Sequence, residues 1–225
     1  MTEQKKILDL GCGDGLTTFF LSKKGKVIGV DLNTDQAKKK FPNLNFLSAN
    51  AEKLPFDKNT FDKVYCFDVL EHVDNVDKTL EQITKVLKKG GHLVAEIPFW
   101  KSEKFLLKIR PSYHQEIHHQ RIFKRNELEK RLKNNFKLIK RKKLRGIDNL
   151  KLYFLFKKKA EIINQQGELS NPNSFFLESF YLLFKKDLFK TKLKWFFPVW
   201  FITWPIGLII NQIFPKTIYL KFIKL

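Results

Sequence analysis

The sequence is poor in cysteine and methionine. Of its 225 residues, two are cysteines (Cys12 and Cys66) and one is methionine. The two cysteines show neither a zinc-ligand spacing nor a disulfide framework, which excludes a small secreted domain held together by disulfides. We therefore expect a reducing compartment, the cytoplasm. A signal peptide is not predicted either, because the first apolar run, residues 7–10, is too short.

Acidic residues are scarce in the second half of the chain. Residues 1–99 contain 15 lysines and arginines against 14 acidic residues, whereas residues 100–225 contain 28 against 9. Most of the net charge of +20 therefore lies after residue 99. Such an asymmetry indicates an anionic partner, either nucleic acid or acidic lipid. A lysine-rich solvated surface is the alternative explanation.

The first half contains a regular alternation of short apolar runs and amphipathic segments. Strands are predicted at 7–10, 27–31, 44–47, 61–67 and 92–97. Helices are predicted at 16–22, 34–40 and 74–87, and residues 88–91 are expected to cap the last of them. Strands separated by helices predict a parallel sheet with right-handed crossovers.

After residue 98 this alternation becomes less regular. Residues 100–120 are predicted to be a long connection, which in a compact domain is usually functional. A helix at 127–133 capped by Asn126 and two strands at 136–145 and 150–156 are expected to follow. We divide the chain into an α/β domain at 1–157, a linker at 158–174 and a hydrophobic, basic helical segment at 175–225.

A glycine-rich turn follows the first strand and contains Gly11, Gly13 and Gly15. Glycine allows the backbone to approach a ligand without a clash at Cβ. Asp31 ends the second strand, where its carboxylate can accept hydrogen bonds from both hydroxyls of a ribose. The pattern predicts a nucleoside ligand at the carboxyl ends of parallel strands.

The ligand of this turn is not expected to be a dinucleotide. The dinucleotide pattern G-x-G-x-x-G requires a last glycine where this chain has Leu16. Asp9 and Asp14 also bring negative charge beside the turn, which repels a pyrophosphate and suits a ligand with sulfonium and ammonium groups.

Several segments resemble, in order and at the proper spacing, the motifs of class I S-adenosylmethionine-dependent methyltransferases, and more narrowly their small-molecule and lipid branch with a type 11-like domain. They are I-L-D-L-G-C-G-D-G at 7–15, V-I-G-V-D at 27–31, N-A-E-K-L-P-F at 50–56, F-D-K-V at 61–64, V-L-E-H-V at 69–73, V-L-K-K-G-G at 86–91 and H-Q-R-I-F at 119–123. The resemblance implies an α/β fold with a Rossmann-like seven-stranded sheet, to which we add a C-terminal hydrophobic helical appendage.

The resemblance also implies S-adenosylmethionine as cofactor and a set of residues that bind it. They are Asp9, Gly11, Cys12, Gly13, Asp31, Leu32, Asn50, Ala51 and Phe67. Asp9 and the loop glycines would hold the methionine end, and Asp31 and Leu32 the ribose and adenine. Asn50 replaces the family's usual aspartate, and its carbonyl oxygen can still accept a hydrogen bond from the adenine amino group.

Methyl transfer depends largely on proximity and alignment, because the sulfonium is already an excellent leaving group. A general base is needed only for a hydroxyl or a weakly acidic carbon. His114, His118 and His119 are the candidate catalytic residues by type and location. We expect no metal, because no fourth ligand accompanies these histidines in the sequence.

Residues 195–214 are a 20-residue apolar run between Lys194 and Lys216. A helix of that length can span a bilayer, while its prolines and tryptophans fit an interfacial or re-entrant segment equally well. A buried helical pair covering the sheet is a further alternative. We expect a small-molecule or lipid acceptor, and association of residues 175–225 with the cytoplasmic face of a membrane.

Two other functions remain open. A nucleic-acid methyltransferase would use the basic C-terminal half, although residues 67–70 read F-D-V-L and lack the N-P-P-Y type of motif found in amino methyltransferases of bases. A non-catalytic cofactor-binding or scaffold protein is the other possibility.

Overall fold

The computed structural model describes residues 4–109, 111–144 and 215–225, which form a mixed sheet with helices packed against it. Within these ranges the strands are β1 (Lys6–Leu10), β2 (Lys26–Asp31), β3 (Asn45–Ser48), β4 (Phe61–Phe67), β5 (Leu87–Pro98), β6 (Phe136–Leu144) and β7 (Thr217–Lys224). The helices are α1 (Leu16–Ser22), α2 (Asp35–Lys40), α3 (Val76–Val86), α4 (Trp100–Ile109), α5 (Tyr113–Glu116) and α6 (Glu127–Leu132).

The strand order of the sheet is β3-β2-β1-β4-β5-β7-β6. The first five strands in this order are parallel, and β7 runs antiparallel to both β5 and β6. Strand order reverses at β1, because β2 lies on one side of it and β4 on the other. Ligands of open α/β sheets bind outside the carboxyl ends of the strands at such a point. The predicted Rossmann-like, seven-stranded α/β sheet is confirmed.

Helix α3 illustrates how the apolar spacing used for the first-half predictions reflects packing in the structure. Its residues Val76, Leu80 and Ile83 recur at helical spacing and are all buried against the sheet. Its first turn is capped by Asn75, whose side-chain oxygen accepts a hydrogen bond from the backbone N–H of Lys78.

The predicted end of this helix was wrong. Leu87 directly after α3 already has an extended backbone, so the chain passes from helix into β5 without a cap at residues 88–91. The left-handed Gly90 (φ +72°) lies instead within β5, where the register against β4 shifts between Phe61 and Lys63. A glycine with positive φ suits a bulge as well as a helix end, and the sequence does not distinguish them.

The predicted long connection at 100–120 is largely helical. Helix α4 buries Ser102, Glu103 and Leu106 on one side, and the short α5 follows. Asn126 occupies the predicted N-cap position of α6, but its side chain makes no capping bond: its backbone is left-handed, and its side-chain oxygen accepts a hydrogen bond from Arg141 instead. At the start of this helix, the Glu127 carboxylate accepts a hydrogen bond from the backbone N–H of Lys124.

Strand β7 corrects the expected helical character of residues 217–224. These residues lie between β5 and β6, with His92 opposite Ile223 on one side and Phe136 opposite Lys224 on the other. The buried side chains Ile218, Leu220 and Phe222 recur at every second position, which is the period of a strand. The predicted strand at 150–156 and the linker at 158–174 lie outside the described residues, and the proposed domain boundaries stay predictions.

Part of the positive charge has a structural explanation. Strand β6 is at the edge of the sheet and reads F-K-L-I-K-R-K-K-L, with most of its side chains exposed. Lysines on an exposed edge prevent pairing with a strand of another molecule. Within the described ranges, none of the helices has the length and apolar character needed to cross a bilayer. The run at 195–214 lies outside those ranges.

Candidate active site

The glycine-rich turn leaves β1 through three glycines with positive φ: Gly11 (+75°), Gly13 (+51°) and Gly15 (+82°). A Cβ on Gly11 would lie 2.1 Å from Cγ2 of Val69, and one on Gly15 would lie 2.7 Å from the ring of Phe46. A Cβ on Gly13 would meet no atom within 4 Å among the described residues. Gly11 and Gly15 are therefore required by packing, whereas Gly13 borders open space at the switch point of the sheet.

Asp31 at the end of β2 fixes the shape of this turn. One carboxylate oxygen accepts the N–H of Gly13 at 2.9 Å, and the other accepts the N–H of Leu32 at 2.7 Å. The backbone N–H groups of Gly11 and Cys12 donate to the carbonyl of Val30. Asp31 thus holds the turn against β2, and the remaining lone pairs of its oxygens can accept hydrogen bonds from a ligand.

Asp9 lies within β1, before the turn, and is buried, with 2% of its surface exposed. The hydroxyl of Thr18 donates to its carboxylate at 2.6 Å. The pKa of Asp9 is raised to about 7, mainly by burial; the charges of Asp31 and Asp14 contribute to this increase, and the hydrogen bond from Thr18 partly opposes it. Three carboxyl groups therefore lie around the turn, and Lys40 forms an ion pair of 2.7 Å with Asp14.

The residues predicted to contact adenine lie at the carboxyl ends of β2 and β3. Leu32 is 74% exposed, so its apolar side chain is accessible to a flat ring. Asn50 is exposed, and Ala51 packs partly against the core. The Asn50 side-chain oxygen accepts the N–H of Glu52 at 2.7 Å, so it orders its own loop.

Cys12 and Phe67 are placed differently from the other predicted residues. Cys12 is buried, and burial raises the pKa of its thiol, so this residue contributes its backbone to the turn and not a reactive sulfur. Phe67 is half-buried at the end of β4. The structure thus brings all nine predicted cofactor residues to the carboxyl ends of β1 to β4, and their roles stay predictions.

The loop after β4 connects this turn to a second group of polar residues. Its Val69 contacts Gly11, and Glu71 and His72 follow after Leu70, with Glu71 fully buried. The segment at 118–121 runs beside this loop. The N–H of Gln120 donates to the carbonyl of Glu71 at 2.8 Å.

Arg121 holds the same loop in place by hydrogen bonds. Its guanidinium donates to the carbonyls of Leu70 and Asp74, both at 2.9 Å. The planar guanidinium presents donors on two different nitrogens, Nη1 and Nη2, and each of them reaches one of these carbonyls. Arg121 therefore positions the loop that carries Glu71 and His72.

Two of the three predicted catalytic histidines share one buried carboxylate. Nε2 of His114 lies 2.9 Å and Nδ1 of His119 lies 2.8 Å from the same oxygen of Glu103. Glu103 is 2% exposed, and both rings are partly buried. The phenol of Tyr113 is buried beside them, and its pKa is raised by burial and then by the Glu103 charge. We call Glu103, His114 and His119 the histidine–glutamate cluster.

His118 is not part of this cluster. Its backbone is left-handed (φ +55°) and its residue is exposed, so its side chain points away from the buried group. Its carbonyl oxygen, however, lies 3.1 Å from Nδ1 of His72. The His72 ring in turn packs edge-on against His119, with centroids 4.8 Å apart.

Sequence reasoning missed Glu103. The residue stands in a stretch that was predicted to be a connection, and a single glutamate there carries no motif. The signal that would reveal it is its position on the buried stripe of α4 with Ser102 and Leu106. A carboxylate on the apolar side of an amphipathic helix needs a buried partner, which here is a pair of imidazoles.

Comparison with known proteins finds a family match in the first half of the chain. Residues 8–95 match the family described as a methyltransferase domain. A sterol 4-C-methyltransferase of Caenorhabditis elegans is 32% identical over 104 residues, covering 42% of this chain and 31% of the relative. A demethylmenaquinone methyltransferase of Lactococcus lactis is 41% identical over 103 residues, covering 39% and 40%. The chain thus spans about a third to two fifths of these curated relatives.

Among solved structures, a Bacillus halodurans protein described as a methyltransferase superposes with a TM-score of 0.59 at 17% identity. The match covers 99% of this chain and 94% of that protein. At this level of identity the likeness establishes the shared fold and nothing about the acceptor.

Proposed function

We propose, from the premise that residues 8–95 are a class I S-adenosylmethionine-dependent methyltransferase domain, that this chain methylates a small or lipid-like acceptor. The observation that carries the proposal is the turn after β1. Asp31 holds it against β2 through the N–H of Gly13, while a Cβ on Gly13 would meet no described atom within 4 Å. Family and fold use S-adenosylmethionine as the methyl donor.

The charges of the site fit this cofactor. The carboxylates of Asp14 and Asp31 lie close enough to Asp9 to raise its pKa. A ligand with a sulfonium and an ammonium group relieves this repulsion, because each positive charge stabilises the ionised carboxylates. A pyrophosphate would increase the repulsion.

Bound S-adenosylmethionine would supply an electrophilic methyl group, which the acceptor attacks in line with the departing sulfur. The chain's contribution is to align the acceptor and, where the acceptor is a hydroxyl, to take its proton. We assign this step to His119, and the assignment is supported by the packing of its ring against His72 on the loop that contacts the cofactor turn. Glu103 fixes the orientation of His119 through Nδ1.

The lipid-like nature of the acceptor is supported by the relatives and by composition. The similar proteins named above are described as acting on a sterol and on demethylmenaquinone. Residues 195–214 are apolar with flanking lysines, which is typical of a segment that associates with a membrane carrying anionic lipids. We propose that residues 175–214 bring the acceptor's membrane surface to the site.

Asp31→Ala tests the cofactor site. The change removes the acceptor of the Gly13 and Leu32 N–H groups, so we expect S-adenosylmethionine affinity measured by calorimetry to fall at least about 100-fold. Asp35→Ala, an exposed carboxylate at the start of α2, is the matched control and should bind normally. Unchanged affinity in Asp31→Ala would overturn the site assignment.

Flotation with liposomes containing anionic lipid tests the membrane proposal. The comparison is between the full chain and a chain lacking 175–214, which keeps β7 in the sheet. We expect flotation of the full chain only. If the full chain stays with the soluble fraction and instead binds RNA with a steep salt dependence, the nucleic-acid function replaces the proposed one.

A further inference from the structure

The histidine–glutamate cluster has the composition of a metal site. One oxygen of Glu103, Nε2 of His114 and Nδ1 of His119 all lie within 4.8 Å of one another. Imidazole nitrogens with a carboxylate oxygen are ligands preferred by zinc and related divalent transition metals. We infer that Glu103, His114 and His119 bind one divalent transition-metal ion with three protein ligands.

The three ligands are held in place by the backbone. Glu103 lies in the first turn of α4, whose neighbouring Ser102 hydroxyl donates to the carbonyl of Pro215 just before β7. The N–H of His119 donates to the carbonyl of His114 at 3.0 Å, which fixes the two histidines relative to each other. The cluster is therefore preorganised, and a metal does not have to assemble it from a mobile loop.

The two distances between carboxylate and imidazole require only a small adjustment, and the two imidazole nitrogens lie within 4.8 Å of each other. Zinc–ligand bonds of about 2.1 Å in a tetrahedral site separate ligand atoms by about 3.4 Å. The oxygen of Glu103 is 2.9 Å and 2.8 Å from the two nitrogens, so each pair must open by about half an ångström. Rotation of the side chains is sufficient for a change of this size.

Charge balance also favours a cation. Among the described residues, the hydrogen-bond partners of the buried Glu103 are the two imidazoles, which carry positive charge only when protonated. A second buried carboxylate, Glu71, lies within 4.8 Å of both His72 and His119 in ligand-atom distance. A divalent ion compensates buried carboxylates while the imidazoles are neutral, which is the form that binds metals.

Three protein ligands leave a coordination position for water or substrate, as in catalytic zinc sites. This consequence rests on the proposed function. With the ion bound, His119 would be a ligand and no longer the base, and the ion would act as a Lewis acid on an acceptor oxygen and lower the pKa of its hydroxyl. The acceptor class would then be an alcohol, phenol or enol.

Titration of the chelator-dialysed full chain with Zn²⁺ tests the inference. We expect one equivalent to bind by calorimetry, and Co²⁺ to give the visible absorption of a four- or five-coordinate site. Glu103→Gln retains the shape of the side chain and removes the anionic ligand, so affinity should fall about 100-fold or more. His118→Asn is the matched control, because asparagine tolerates the left-handed backbone and His118 lies outside the cluster. Its Zn²⁺ affinity should be unchanged.

Three results would overturn the inference. They are the absence of stoichiometric binding, an equal loss in Glu103→Gln and His118→Asn, and a loss in Glu71→Gln while Glu103→Gln still binds. S-adenosylmethionine affinity and the urea midpoint of each variant report on folding independently. They also separate the two proposals, because a chain that binds Zn²⁺ but not S-adenosylmethionine refutes the proposed function and leaves the metal site standing.

Discussion

Gly11→Ala and Gly13→Ala make the same chemical change in one loop, but the structure predicts different consequences for them. Both residues have positive φ, which costs an alanine about 1–2 kcal/mol. At Gly11 the new methyl group would also lie 2.1 Å from Cγ2 of Val69. Such overpacking costs about 1–3 kcal/mol more, because a packed interior gives way only by shifting side chains or backbone.

We therefore expect Gly11→Ala to lower the free energy of unfolding by about 2–5 kcal/mol. Gly13→Ala should lower it by only about 1–2 kcal/mol, because its Cβ meets no described atom within 4 Å. The same methyl group would project into the space assigned to the cofactor. Gly13→Ala should therefore lose S-adenosylmethionine affinity while remaining folded.

The assays are urea unfolding followed by circular dichroism and calorimetric titration with S-adenosylmethionine. The double variant Gly11→Ala/Val69→Ala supplies the control, because removing the Val69 methyl groups relieves the clash. Its cost should be less than the sum of the single costs by about 1–3 kcal/mol. Additive costs in this cycle, or an equal loss of stability in the two glycine variants, would refute the reasoning.

Two further predictions concern the cofactor site and the sheet. The pKa of Asp9 is about 7 in the folded state against an ordinary 3.8, so the folded state retains a proton that the unfolded state loses, and stability should fall as pH rises from about 4 to 7. Urea unfolding across this range should show a contribution of about 4 kcal/mol that Asp9→Asn removes, and parallel profiles for both proteins would contradict it. Phe222→Ala removes a fully buried ring that packs edge-on against Phe136 and should cost about 3–5 kcal/mol in urea unfolding. Ile223→Ala, half-buried on the other face of β7, should cost less, and equal costs would show that β7 is not packed as described.

The cofactor-binding part of the site was predictable because the sequence patterns that indicate it are made of residues close together in the chain. Helix α1 was predicted at 16–22 and is found there, since a glycine turn and a short apolar run define its ends. The turn residues have positive φ, as a backbone approached closely by a ligand requires. Asp31 was assigned to the end of β2 from its place after an apolar run, and its hydrogen bond to Gly13 adds a second role in shaping the turn.

For the part of the site assigned to the acceptor, the sequence predicted which types of residue are present but not how they are arranged. His114, His118 and His119 were treated alike, because three histidines in one connection are equivalent in sequence. The fold separates them, since α5 and the left-handed residue 118 turn two rings inward and one outward. Glu103 and His119 are joined by the packing of α4 against this segment, which no spacing along the chain reveals.

The sequence by itself determined the parallel α/β architecture, the glycine turn after β1 and the carboxylates around it. Each of these depends on residues that are close in the chain and on periodicities of helix and strand. Tertiary structure alone decided that residues 217–224 return to lie between β5 and β6, and that one buried carboxylate joins two histidines. Those contacts are made between segments far apart in sequence, where free energy comes from burial and pairing that the linear order does not record.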